Sequence, residues 1–164
     1  MQNKLQPRIS YSAWSRAPIS KGVLDVTPQE FQARTTIAAL WVSAMMSYVY
    51  ADIIAFLVPG HLQGVLEGRM GAWTTTMPLL MGSAVLMSIP GLMISATFLV
   101  PSAVNRWLNI IVGSMHALFA VAQTVGAWPP RTYTYMYFGV IEFALTLLIV
   151  WYALRRLPAV PGEP

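Results

Sequence analysis

The chain has 164 residues, 56% of them hydrophobic and only 10% charged, with no cysteine and a net charge of +4. An ordinary soluble domain of this length carries roughly a quarter charged residues, so a water-soluble fold is excluded. The missing cysteines also exclude disulfides, thiolate metal sites and a thiol nucleophile. The length suits one compact unit, and the basic residues sit at the ends of apolar segments. That placement points to membrane lipid as a partner, through anionic headgroups and topology signalling, and away from nucleic acid.

Residues 1–34 form a basic arm. Lys4, Arg8, Arg16 and Lys21 occur before any acidic residue, and no apolar run is long enough for a signal-peptide core. A bacterial cytoplasmic tail is expected, with an organelle transit peptide as the alternative. Within the arm, residues 25–34 read as a short interfacial helix lying on the membrane: Thr27 can cap it, Pro28 suits its first turn and Glu30 falls at the third helical position.

Residues 35–57 carry a single charge and, at 1.5 Å per residue, reach about 34 Å, enough to cross a hydrocarbon core of ~30 Å. Pro59-Gly60 ends this first span. A loop with His61, Glu67, Arg69 and Trp73 leads to a second span at 77–100, in which Pro90-Gly91 predicts a kink. The third span, 107–128, has a tryptophan at each end and His116 near its centre, and Pro129-Pro130 stops it. The fourth, 133–154, opens on Tyr133, Tyr135 and Tyr137 and closes on Trp151, Tyr152 and Arg155-Arg156, leaving a Pro-rich tail at 155–164. Asn105, Arg106 and Trp107, with Arg155 and Arg156, are expected to anchor the protein at lipid headgroups and set its topology.

Eight of the ten Lys and Arg residues fall in the N-terminal arm, the Arg106 turn and the C-terminal tail, which predicts that both termini are cytoplasmic. Short connections make the spans antiparallel neighbours. The expected architecture is therefore an all-α polytopic membrane protein, an antiparallel bundle of four transmembrane helices.

Charged and polar residues inside spans are the candidates for function, since an intramembrane acid is costly to insert. Asp52 and Glu142 come out roughly 8 Å and 13 Å below the outer surface by helix rise. Gln123 and Ser83 fall at similar depth, and Tyr48, one turn before Asp52, shares its helix face. Converging, these groups would form a polar pocket in the outer half that binds a small molecule or lipid, or a proton relay. The opposing expectation is that the acids are hydrogen-bonded glue between helices. His116 is read either as part of a proton path or as a hydrogen-bonded structural histidine. With only two histidines in the chain a bis-His haem is not available, and no metal or other cofactor is expected.

No P-loop, HExxH, GxSxG or CxxC motif occurs, which disfavours enzymes that use them. The acids still permit acid–base chemistry. Beside the pocket stand two other classes of function: an accessory or assembly subunit with a second copy or another membrane protein as partner, and an oligomeric proton-coupled transporter.

The strings Leu40-Trp41, Tyr48-Val49-Tyr50-Ala51-Asp52-Ile53, Ile89-Pro90, Asn105-Arg106-Trp107-Leu108-Asn109-Ile110-Ile111 and Ile141-Glu142 resemble a family of small bacterial four-helix membrane proteins of unknown function. The resemblance extends over about residues 35–154. It implies the four-span fold and a bacterial cytoplasmic membrane, and it brings no activity with it.

Overall fold

The computed structural model describes residues 26–70, 73–126 and 133–158. Most of the basic arm, the end of the third expected span with Trp128, Pro129-Pro130 and Arg131, and the last part of the tail lie outside the described residues. Four helices are long and apolar enough to cross a membrane, and the all-α bundle expected from the sequence holds. They are α1 (Pro28–Phe56), α3 (Met77–Leu99), α4 (Ser102–Gly126) and α5 (Tyr133–Arg156). Between α1 and α3 the chain makes a short helix, α2 (His61–Leu66), and a two-residue antiparallel pairing of β1 (Arg69–Met70) with β2 (Trp73–Thr74). Gly60, with φ 81°, makes the turn into α2 in the left-handed region that a side chain disfavours.

The start of α1 follows its sequence: the Thr27 hydroxyl accepts the Glu30 amide at 3.2 Å and Pro28 occupies the first turn. Among the described residues there is no separate interfacial helix, however. The helix that opens at Pro28 runs without interruption through Phe56. Residues 28–34 are thus its first two turns, because Glu30 and Arg34 turn into the bundle rather than toward the headgroups.

α3 is capped by Thr76 and runs continuously through Pro90. α4 begins at Ser102, five residues ahead of the expected boundary, so Asn105, Arg106 and Trp107 already belong to its first turns.

α5 packs against both α1 and α4, and α1 also packs against α3, while α3 makes little contact with α4. The core lies on the α1–α5 side, where Ile37, Trp41, Ile149 and Ala153 are fully buried. By contrast no residue in 77–89 of α3 is buried.

Glycine sets the closeness of α4 and α5. A Cβ on Gly113 would stand 2.9 Å from the Val150 methyl, and one on Gly139 would press on the Thr124 side chain. Small residues at such crossings let helix backbones approach where water cannot drive association. Gly113→Leu is expected to cost about 1 to 3 kcal/mol through overpacking, read as a lower midpoint of sodium dodecyl sulfate unfolding. A midpoint equal to wild type would mean that the two helices are not held at this distance.

Candidate functional site

α1 and α4 run parallel, diagonally across the bundle, too far apart for backbone contact. They are nevertheless tied by side chains at a constant offset. Arg34 bonds Ser102, Trp41 bonds Asn109 and Tyr48 meets His116, each pair separated by 68 residues. On each helix these positions recur every seven residues, the spacing that keeps one stripe facing a parallel partner. The result is a column of three polar rungs through an apolar bundle.

The first rung closes the α3–α4 turn. Pro101 has no amide, so the Thr97 carbonyl cannot receive its ordinary helical bond, and a bare carbonyl inside a membrane costs several kcal/mol. Arg34 Nη1 supplies the donor at 2.9 Å and also bonds the Val100 carbonyl at 3.0 Å. Asn105 Nδ2 adds a second bond to Thr97 at 3.0 Å. Arg34 Nε and Nη2 hold Glu30 Oε1 at 3.0 and 2.9 Å, and Nη2 also bonds Ser102 Oγ at 2.9 Å. All five N–H groups of the guanidinium are then used. The Ser102 hydroxyl in turn donates to Glu30.

At the second rung Trp41 Nε1 donates to Asn109 Oδ1 at 2.7 Å. Asn109 Nδ2 donates to the side-chain and main-chain oxygens of Asn105 at 2.7 and 2.9 Å. Asn105 and Asn109 are fully buried, so they are not lipid-headgroup anchors; the carbonyls freed by Pro101 and the indole N–H of Trp41 claim them instead. Arg106 reaches the Leu157 carbonyl at 3.0 Å, whereas Trp107, Arg155 and Arg156 are exposed.

The third rung opens a differently built region. His116, 0% exposed, meets the Tyr48 hydroxyl through Nδ1 at 3.2 Å, and its Nε2 has no hydrogen-bond partner among the described residues. The Trp41 ring stands edge-on to the imidazole, 5.7 Å between centres. Gly113 faces Thr146 and Gly139 faces Ala120 across the α4–α5 contact, which sets His116 level with Glu142. Glu142, 3% exposed, accepts only from Ser47 Oγ among the described residues, at 3.5 Å. Closer to the end of the bundle Tyr135 donates to Asp52 Oδ1 at 3.2 Å. Asp52 follows Ser47 by five residues on α1, a rise of about 7.5 Å from the Glu142 contact.

Glu142, Ser47, Tyr48 and His116 are thus brought into one buried layer, while Asp52 is exposed and bonds Tyr135 nearer the end of the bundle, with different pairings from those the sequence suggested. Tyr48 faces His116 rather than Asp52, because α4 supplies a partner at its heptad offset and α5 supplies Tyr135 to Asp52. Ser83 turns its hydroxyl back to the Leu79 carbonyl at 3.0 Å, on a stretch of α3 that has no buried residue. Gln123 is half-buried and bonds nothing among the described residues. Two surface depressions lie along α5, one lined by Ala144, Leu147, Leu148 and Trp151, the other by α4 and α5 residues around Gly139; neither includes a residue of the expected pocket. No group of three or more potential metal ligands occurs among the described residues.

Reading the sequence for depth missed Glu30, Arg34 and Ser47, and it did not pair Trp41 with Asn109. The signal was there as two matched seven-residue series, Arg34-Trp41-Tyr48 and Ser102-Asn109-His116.

The fold and the polar column define a multi-pass membrane protein with an internally cross-linked helix bundle. The chain belongs to the family of unknown function DUF6326, which it matches over residues 28–157. No curated protein matches it, and no solved structure does.

Proposed function

We propose that the bundle is a non-enzymatic receptor for a small polar or cationic molecule, held in the layer formed by Asp52, Tyr135, Glu142, Ser47, Tyr48 and His116. The supporting observation is the contrast in hydrogen-bond saturation along one column. At the Arg34 end every donor of the guanidinium is used, and such a network holds structure together. Toward the Asp52 end a fully buried imidazole nitrogen lacks a partner among the described residues, level with a buried acid that has one long bond. A buried polar group without a partner costs about 1 to 3 kcal/mol, a cost that a bound ligand would remove.

The same contrast argues against a proton path across the membrane. The Arg34 end of the column is sealed by Asn, Trp and Arg donors, none of which gives up and regains a proton readily. With eight of the ten basic residues on the terminal side, we place both termini in the cytoplasm of a bacterium and the binding layer in the outer half of its inner membrane.

Native mass spectrometry of protein extracted gently from its own membranes tests this reading. Wild type is expected to carry a small-molecule adduct that Glu142→Gln loses while keeping its helical circular dichroism. Identical adduct patterns in the two proteins, or no adduct in either, would contradict it.

A further inference from the structure

Resting on that reading of the layer, we infer that its ligand is a protonated amine carried on an apolar chain.

Glu30 at the opposite end is neutralised by Arg34, but the buried Glu142 and the exposed Asp52 have no such counterpart in their spans. No Lys or Arg occurs in the stretches 41–56, 77–99, 110–126 or 133–154. Glu142 bonds Ser47, and Asp52 follows Ser47 by five residues on α1, a rise of about 7.5 Å. Two carboxyl groups at that spacing and remote from any span cation are best satisfied by an incoming positive charge.

His116 points the same way independently: its buried Nε2 has no partner among the described residues although it sits level with Glu142. When the Tyr48 hydroxyl accepts from Nδ1–H, Nε2 presents a lone pair, which an ammonium N–H meets directly. The phenol rings of Tyr48 and Tyr135 can attract a cation. Exposed apolar side chains of this half, among them Ile53, Phe56, Val125 and Val140, suit a ligand with an apolar tail. α3 is the element able to yield and admit it, since none of its residues 77–89 is buried and it scarcely touches α4.

The experiment uses full-length protein labelled with 15N-histidine in phosphatidylcholine nanodiscs, titrated with dodecylamine and, separately, with dodecanol. Only two histidines exist, so His116 reports the layer and His61, in the loop, serves as the internal control. Dodecylamine is expected to shift the His116 nitrogens at a concentration roughly tenfold lower than dodecanol, the advantage of an ionised over a neutral hydrogen bond. Glu142→Gln should erase that difference while leaving the His61 signals where they are. Equal potency of amine and alcohol would overturn the amine assignment and leave the layer standing as a binding site. No shift of His116 with either compound would overturn both.

Discussion

Arg34→Ala is expected to be among the most damaging single substitutions in this protein, costing about 3 to 5 kcal/mol of folding free energy, as breaking one side of a buried ion pair does. The loss has several parts. Glu30 loses the one cation it bonds among the described residues, the Val100 carbonyl loses its donor, and Thr97 keeps a single bond from Asn105. Since the carbonyls of a helix end have no water to turn to inside a membrane, the α3–α4 turn should loosen first. Urea–dodecyl sulfate unfolding measures the effect, and a companion variant isolates its cause. Combining Arg34→Ala with Glu30→Gln should recover part of the loss, because the stranded charge is gone while the carbonyls stay bare. If the double variant is as unstable as the single one, the ion pair adds nothing beyond the carbonyl caps.

Trp41→Ala carries the second large effect, about 3 to 5 kcal/mol for emptying a fully buried indole site. In a membrane the water-exclusion part of apolar burial is absent, so the cost comes from lost dispersion contacts and from Asn109 Oδ1 losing its donor. Trp41→Phe separates the two. It refills most of the volume without restoring the N–H, and should recover more than half of the loss. A Phe variant as unstable as Ala would mean that the single bond to Asn109, 2.7 Å long, dominates this rung.

The four spans were legible because a run of some twenty apolar residues has few readings besides a membrane helix, and the caps at Thr27 and Pro28 were legible because their chemistry is local. Depth along each span was legible in part: Glu142, Tyr48 and His116 lie at one level, whereas Asp52 is exposed nearer the end of the bundle. Rotation about each helix axis was the missing quantity. Depth arithmetic says nothing of which way a side chain points, so Ser83 and Gln123 were grouped with residues they do not reach, and Tyr48 was assigned to Asp52. Arg34 was hidden for a related reason. An arginine near a membrane surface reads as a headgroup anchor, and only the absent amide of Pro101, 67 residues further on, explains why it folds inward.

Under the proposed function the polar column divides its labour, with the Arg34 end holding the fold and the Asp52 end binding a ligand. Unfolding free energies of Asn109→Leu and Glu142→Gln, measured side by side in ligand-free detergent, test it most directly. Asn109→Leu strands the Trp41 N–H and should lose about 1 to 3 kcal/mol. Glu142→Gln keeps the shape and the acceptor facing Ser47, and should lose less than about 0.5 kcal/mol. A Glu142→Gln protein as destabilised as Asn109→Leu would contradict the account, because both ends of the column would then be serving the fold.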